Sequence, residues 1–135
     1  MRASIQEVVF DCCQDPSDLA HFWAGIFGAR WAALGDDWAL VESVPLRVAF
    51  QRVPEAKAAK NRLHLDIVVT DAAVAADEAV ARGATIITPL QGSPSGGCVV
   101  LSDPWGNEFC FVADEQGTWE AGQRAALDSA AGQGA

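Results

Sequence analysis

The strongest constraint on the fold is an internal repeat, in which one capped helix lies among short strands. In the first copy Asp15 can cap the helix, Pro16 suits its first position, and Gly28 is a natural stop. In the second copy Asp71 and Gly83 enclose an alanine-rich helix. The cap and the glycine are 13 positions apart in one copy and 12 in the other, and an alanine follows each glycine. The repetition predicts two similar supersecondary units.

Runs rich in apolar residues precede and follow each helix, as expected for strands. One run comes before each helix and three come after it, at 5–13, 29–34, 37–43 and 46–53 in the first copy and at 62–70, 84–88, 98–102 and 107–112 in the second. The pattern is β-α-β-β-β, twice, which favours the α+β class over a parallel βαβ series. The sequence therefore predicts module one at 5–53, a linker at 54–60, module two at 61–113, and a tail at 114–135 with a short helix near Thr118–Leu127.

Composition narrows the class of protein. The chain has 135 residues, half of them apolar, which is enough for one domain with a buried core. Its net charge of −9 argues against nucleic acid as a partner, because a basic face is the usual footprint. No apolar run approaches the ~20 residues of a membrane helix, and the N-terminus lacks the features of a signal peptide. We therefore expect a cytoplasmic location without membrane contact, and four reduced cysteines.

Three stretches resemble a known family. They are DPSDLAHFWAGIFGARW at 15–31, KNRLHLDIVVTD at 60–71 with the turn at 82–84, and LSDPWGNEFCFV at 101–112. Together they resemble the vicinal-oxygen-chelate superfamily of glyoxalases, bleomycin-resistance proteins and extradiol dioxygenases, and within it the small glyoxalase-like members. The resemblance covers about residues 5–113, and Asp103–Asn107 is its most specific part. It implies two tandem βαβββ modules whose curved sheets form a shared cavity, and it implies a homodimer.

The resemblance also implies where a metal would bind. In metal-dependent members the ligands come from the first and last strand of each module, which correspond here to Val8, Gln51, His64 and Cys110. Val8 cannot ligate, and Cys110 stands where the family usually has Glu. No metal cofactor is therefore favoured. A divalent metal is the alternative, with Gln51, His64 and Cys110 as its ligands.

Strand alternation gives an independent prediction of the cavity, because successive side chains point to opposite faces of a sheet. Alternation places polar side chains of three strands on the face away from the helices, and analogy with module two places Val8, Phe10 and Cys12 of the first strand there as well. Trp38 is the preferred ligand-stacking residue. The predicted catalytic residues are His64, Asp66 and Glu108, and the predicted ligand-binding residues are Phe10, Trp38, Arg47, Gln51, Arg62 and Cys110.

Each of these residues also has an ordinary structural interpretation. His64 is either a base or ligand, or a structural histidine. Asp66 and Glu108 are either acid–base groups or partners of Arg62 or Arg47 in salt bridges. Cys110 is either a thiolate or a small apolar filler. The segment 91–97 is predicted to be a flexible hairpin connection that acts as a lid.

The leading functional hypothesis is a glyoxalase-like protein that binds a small organic molecule in the cavity without the family's usual metal, in resistance or sequestration. The acidic balance and the tryptophans suit a bulky cationic guest. The alternative is a lyase, isomerase or dioxygenase-type enzyme with His64 as base or metal ligand. A third possibility is a vestigial cavity with dimerisation as the main role.

Overall fold

The computed structural model describes residues 2, 5–61 and 63–130, and it confirms the α+β class and the repeated β-α-β-β-β order. Module one contains β1 (Glu7–Cys12), α1 (Pro16–Phe27), β2 (Trp31–Ala33), β3 (Trp38–Val41) and β4 (Arg47–Arg52). Module two contains β5 (Leu65–Val68), α2 (Ala72–Ala81), β6 (Thr85–Ser93), β7 (Gly96–Ser102) and β8 (Glu108–Val112). The tail forms α3 (Thr118–Ala130), where the sequence predicted a short helix.

The helices begin and end where their caps predict. The Asp15 carboxylate accepts a hydrogen bond from the backbone N–H of Ser17 at 3.0 Å, and Asp71 accepts one from Val74 at 2.9 Å. α1 ends at Gly28, whose φ of 60° lies in the left-handed region that glycine adopts without strain. These local signals fix the entry and exit of each helix and therefore the strands on either side.

Each module forms its own four-stranded sheet, in the order β1-β4-β3-β2 (sheet one) and β5-β8-β7-β6 (sheet two). The first and last strands of each module are parallel neighbours, and the remaining pairs are antiparallel. Glu7 is the register partner of Arg47, and Asp66 is the register partner of Cys110. The first and last strands of each module therefore lie side by side, although a helix and two strands separate them in sequence.

A single hydrophobic core lies between the helix-facing sides of the two sheets. Trp23 of α1 is fully buried, and its ring centroid is 6.4 Å from that of Phe10 in sheet one and 4.7 Å from that of Phe109 in sheet two. The polar side chains of the two predicted half-sites belong to two separate sheets, on the sides opposite the core, which we call the outer faces.

The first strand shows that one prediction was wrong. Phe10 is only 8% exposed and stacks on Phe50 with ring centroids 5.7 Å apart, so it faces the core. Cys12 is buried on the same side, and Val8 packs there in part. The outer face of β1 instead carries Glu7, Val9 and Asp11. Val8, Phe10 and Cys12 are the apolar positions of this alternating strand, and apolar positions normally face the core. The analogy with module two assigned them to the cavity side instead.

The segment 91–97 is a hairpin, as predicted, but the prediction that it is a flexible lid is wrong. β6 and β7 remain paired until only Pro94 and Ser95 are left as a turn. The Pro94 carbonyl accepts a hydrogen bond from the Ala72 N–H at 2.7 Å, and the Ser95 carbonyl accepts one from the Glu115 N–H at 2.9 Å. The turn is therefore tied to the start of α2 and to the tail, and it cannot swing over the outer face.

The tail helix packs on little of the fold. Every residue from Thr118 to Ser129 is exposed. Asp114 fixes the start of α3, because its two carboxylate oxygens accept hydrogen bonds from the N–H groups of Trp119 at 3.3 Å and Glu120 at 3.0 Å. None of the described helices is long and apolar enough to cross a membrane.

Candidate functional site

Three titratable side chains meet on the outer face of sheet two. Asp66 and Cys110 are register partners on the parallel strands β5 and β8, so they share a face, and His64 precedes Asp66 by two residues on that same face. His64 Nε2 lies 3.2 Å from Asp66 Oδ1. The ligand atoms of all three residues lie within 4.8 Å of one another. We call this group of His64, Asp66 and Cys110 the module-two cluster.

The surroundings of Cys110 keep its thiol protonated. Partial burial raises the pKa of Cys110, and the negative charge of Asp66 and a hydrogen bond from the thiol to that carboxylate raise it further. Because the thiolate is the reactive form of cysteine, Cys110 is a weak nucleophile unless a cation approaches it. Cys98 of β7 is a near neighbour that also lines this face.

Glu108 shares the outer face of sheet two with the cluster but has a partner of its own. Its Oε2 lies 3.2 Å from Lys60 Nζ, whereas Arg47 pairs with Glu7. The predicted alternative of a salt bridge to Arg62 concerns a residue outside the described part of the chain. Asn61 brings Lys60 to this position, because its Oδ1 accepts from the Glu108 N–H at 3.0 Å and its Nδ2 donates to the Glu108 carbonyl at 3.3 Å. The side-chain amide of Asn61 thus extends the pairing with β8 to a position before the start of β5. Sequence analysis missed both Lys60 and Asn61.

The predicted site residues of module one lie on the outer face of sheet one. Trp38 and Gln51 are register partners there, and Arg47 Nε lies 3.3 Å from Glu7 Oε2. Gln51 is therefore on a different sheet from His64 and Cys110. Val8 and Phe10 face the core, and Arg62 lies outside the described residues.

Two of the cavities in the molecule bear on the predicted site. One has a volume of about 650 Å³ and lies against sheet two, with Asp66, Cys98, Cys110, Asp114, Glu115 and Trp119 in its wall. The other has a volume of about 1180 Å³ and runs along β1, the linker and Trp105, and of the predicted site residues that the structure describes only Phe10 contributes to it. Among the described residues, neither cavity contains polar groups of both predicted half-sites. The expectation that one chain gathers them all in one cavity is therefore not met.

The turn before β8 holds the cluster's last strand in place. Asp103 is buried, and its carboxylate accepts hydrogen bonds from Trp23 Nε1 at 3.1 Å, Asn107 Nδ2 at 2.8 Å, and the N–H groups of Trp105 and Asn107 at 2.9 Å each. Burial raises the pKa of Asp103, and these four donors oppose that rise. The turn motif recognised in the sequence is thus a structural clamp that joins module two to α1 of module one.

Two βαβββ modules with parallel first and last strands, and with polar groups on their outer faces, define the glyoxalase, bleomycin-resistance and dioxygenase class. The family model of the glyoxalase-like domain matches residues 7–112, and the chain belongs to that family. None of the curated protein sequences matches the chain.

Solved structures show the same fold. A glyoxalase/bleomycin resistance protein/dioxygenase family enzyme from Burkholderia phytofirmans is 17% identical, with a TM-score of 0.70 over 81% of this chain and 97% of that one. A variant of the fosfomycin resistance protein FosX from Listeria monocytogenes, complexed with Mn(II) and dihydroxypropylphosphonic acid, is 12% identical, with a TM-score of 0.69 over 89% and 99%. The bleomycin-binding protein of Streptomyces verticillus, complexed with copper(II)-bleomycin, is 26% identical, with a TM-score of 0.59 over 85% and 100%.

The residues of this chain do not fit a manganese site of the kind that the Listeria relative holds. Mn²⁺ prefers carboxylate, carbonyl and water oxygens. The module-two cluster offers one carboxylate, one imidazole and one thiol. Of the two remaining positions that the resemblance implied, Val8 has no ligand atom and Gln51 lies on the other sheet. No reaction step through such an ion follows from this structure.

Proposed function

We propose that this protein binds a small organic molecule on the outer face of sheet two and acts by sequestration. The observation that carries the proposal is the cavity of about 650 Å³ beside the module-two cluster. Its volume falls within the ~300–1,000 Å³ of ligand pockets, and a few polar groups converge on it. The similarity to a bleomycin-binding protein supports a binding role.

The wall of this cavity favours a cationic guest. It contains the carboxylates of Asp66, Asp114 and Glu115, and Lys and Arg are missing from its described lining. Trp119 lies at its rim and is 47% exposed, so its ring is free to stack on a guest. A cation over an indole face gains roughly 0.5–2 kcal/mol, according to how well water is excluded. An aromatic or quaternary organic cation satisfies both features of the wall.

A second copy of the chain completes the site in this proposal. The outer faces of both sheets carry exposed apolar side chains, Val9 in β1 and Val68 in β5 among them. Trp38, Arg47 and Gln51 on the outer face of sheet one are separated from the module-two cluster within a chain. A homodimer that places sheet one of one copy over sheet two of the other unites Trp38, Arg47 and Gln51 with the module-two cluster in two equivalent cavities.

Thermal-shift and calorimetric titrations test the binding role. The probes are metal-free bleomycin, fosfomycin and a series of aromatic quaternary ammonium ions. We expect the cations to raise the melting temperature and the phosphonate to have no effect. Trp119→Ala should weaken binding about tenfold, whereas the matched control Trp31→Ala, which removes an exposed tryptophan of module one, should not. Equal losses in both variants, or no response to any cation, would contradict the proposal.

Subunit mixing tests the composite site. Gln51→Arg in one chain and Asp66→Arg in another should each abolish binding in a homodimer. A heterodimer of the two retains one of its two cavities, built only from unaltered faces. Because equal mixing yields about one half heterodimers, it should restore about a quarter of the binding sites. If mixing restores nothing, the site is confined to one chain.

A second function has one observation in its favour, namely the contact between His64 and Asp66. A carboxylate at 3.2 Å orients the imidazole, which suits a general base in a lyase, isomerase or dioxygenase-type reaction. His64→Ala distinguishes the two functions. Guest binding that persists in the variant, with no turnover in either protein, supports sequestration, and loss of a measurable turnover supports the enzyme.

A further inference from the structure

The donor set of the module-two cluster does not fit a manganese site, but it fits another class of metal ion. His64 supplies an imidazole nitrogen, Asp66 a carboxylate oxygen and Cys110 a thiol sulfur. Zinc sites in proteins are built from these three groups, and a catalytic zinc site has three protein ligands and one open position. We propose that module two alone binds one thiophilic divalent ion, with Zn²⁺ as the best match, through His64, Asp66 and Cys110.

The distances support this assignment. A tetrahedral zinc ion with bonds of ~2.0–2.3 Å needs ligand atoms roughly 3.3–3.6 Å apart. In the structure all three ligand atoms lie within 4.8 Å of one another, and the His64–Asp66 pair is already at 3.2 Å.

The sheet positions the three ligand residues before an ion binds. Asp66 and Cys110 are paired across neighbouring strands, and Asn61 ties the segment before His64 to the backbone of Glu108. Ligands on paired strands lose little conformational entropy when an ion binds. Lys60 is held by Glu108 at 3.2 Å, so its charge is partly neutralised.

Cys98 is a further thiol on this face, although it is not part of the group whose ligand atoms lie within 4.8 Å of one another. It is the register partner of Val112, which is two residues along β8 from Cys110 and on the same face. Cys98 also lines the same cavity as Asp66 and Cys110. A site with both thiols is closed, whereas a site with Cys110 alone leaves one coordination position open.

Cobalt titration of the reduced, chelator-treated full-length protein tests the site, because Co²⁺ replaces Zn²⁺ and reports its ligands by absorption. We expect one Co²⁺ per chain, a near-ultraviolet thiolate-to-cobalt charge-transfer band, and visible bands of a four-coordinate ion. Added Zn²⁺ should bleach all of these bands. A spectrum of six-coordinate cobalt without a thiolate band would overturn the proposal.

Matched variants identify the ligands. Cys110→Ser should abolish the charge-transfer band, and His64→Ala and Asp66→Asn should each weaken Co²⁺ binding by roughly tenfold or more. The controls Cys13→Ser, His21→Ala and Asp77→Asn alter the same residue types outside the cluster and should leave the titration unchanged. A weaker band in Cys98→Ser adds that thiol to the site, and an unchanged band leaves three ligands. A band that persists in Cys110→Ser overturns the assignment.

These spectra are recorded without any organic guest. The metal proposal and the guest-binding proposal therefore fail independently. Melting temperatures of the metal-free variants show whether a lost band reflects a lost ligand or a lost fold.

Discussion

The two modules have the same topology but contribute differently to the molecule. α1 of module one buries large side chains, among them Leu19, Phe22 and Trp23, whereas the fully buried residues of α2 are the alanines Ala72, Ala76 and Ala79. The outer faces also differ, but here it is module two that carries the larger number of reactive side chains. Sheet one presents an ion pair of Glu7 and Arg47, while sheet two presents a histidine, two carboxylates and two thiols. Module one thus supplies most of the core, and module two supplies the candidate chemistry.

This division shows that a shared topology fixes where a side chain points and leaves open what it does there. Register partners on the first and last strands occupy equivalent places in both sheets. In sheet one these places carry Asp11 beside Gln51, and in sheet two they carry Asp66 beside Cys110. Only the second pair has a histidine next to it on the same face, and only there do three different ligand types meet among the described residues.

The largest expected effect comes from the core contribution of module one. Trp23→Ala removes the ring that contacts Phe10 and Phe109, and it leaves the Asp103 carboxylate without one donor. We expect a loss of about 3–5 kcal/mol in the free energy of unfolding. Val74→Ala on the exposed side of α2 should cost about 0.5 kcal/mol or less. Equilibrium denaturation measures both, and similar losses would contradict the unequal roles of the two helices.

The clamp between the modules should have the next largest effect. Asp103→Ala leaves four hydrogen-bond donors around a small cavity, and we expect a loss of about 3 kcal/mol or more. Trp23→Phe, which removes only the indole N–H donor, should cost about 1–2 kcal/mol. The two losses should be less than additive in a double-mutant cycle, because both variants break the same hydrogen bond. Additive losses would mean that the clamp does not couple the modules.

The pH dependence of this clamp has a definite sign. Because the pKa of Asp103 is raised in the folded protein, the folded state binds the Asp103 proton more tightly than the unfolded state does. The contribution of Asp103 to stability therefore increases as the pH falls through its folded pKa towards the ordinary value of an aspartate. Denaturation at a series of pH values, with Asp103→Asn as the reference, should show this rise in the wild type alone. A steady loss from Asp103 on acidification would contradict the direction of the shift.

A smaller effect is expected for the two adjacent thiols of module one, which should differ in their rate of alkylation. Burial raises the pKa of Cys12 to about 11, so roughly one molecule in a thousand carries the Cys12 thiolate at pH 8. Cys13 is only half-buried. We expect iodoacetamide to modify Cys13 much faster than Cys12, as read by peptide mass spectrometry. Comparable rates would show that the core of module one opens readily around β1.

The smallest effect is expected for the tail. Ending the chain after Gly117 removes α3, whose residues from Thr118 to Ser129 are all exposed. We expect a change of about 0.5 kcal/mol or less in the unfolding free energy. The same truncation should weaken guest binding in module two, because it removes Trp119 from the cavity wall. A large loss of stability would mean that α3 packs against a second copy of the chain, and analytical ultracentrifugation would detect that contact.

Much of the fold followed from local patterns in the sequence. The caps at Asp15 and Asp71 and the glycines after the helices act over a few residues, so they could be located without knowledge of the tertiary structure. The side-chain alternation of β5 and β8 also placed His64, Asp66 and Cys110 on one face, as the structure has them.

The predictions that failed depended on packing between distant parts of the chain. The phase of β1 was assigned by analogy, although its burial depends on the contact of Phe10 with Trp23. The location of the two half-sites on separate sheets, on the sides opposite a shared core, is encoded by no local pattern. The salt bridge of Lys60 to Glu108 depends on Asn61, a residue whose role appears only once β8 lies beside it.

The long reach of the Trp23 hydrogen bond has a consequence for how the chain folds during synthesis. Its acceptor, Asp103, lies 80 residues further along the chain, and Phe109 completes the same aromatic cluster. A ribosome that has released all of module one has therefore not yet released the groups that cover the inner side of α1. Until β8 emerges, the nascent chain exposes the largest apolar side chain of the future core, and it is then most exposed to aggregation and most dependent on chaperones.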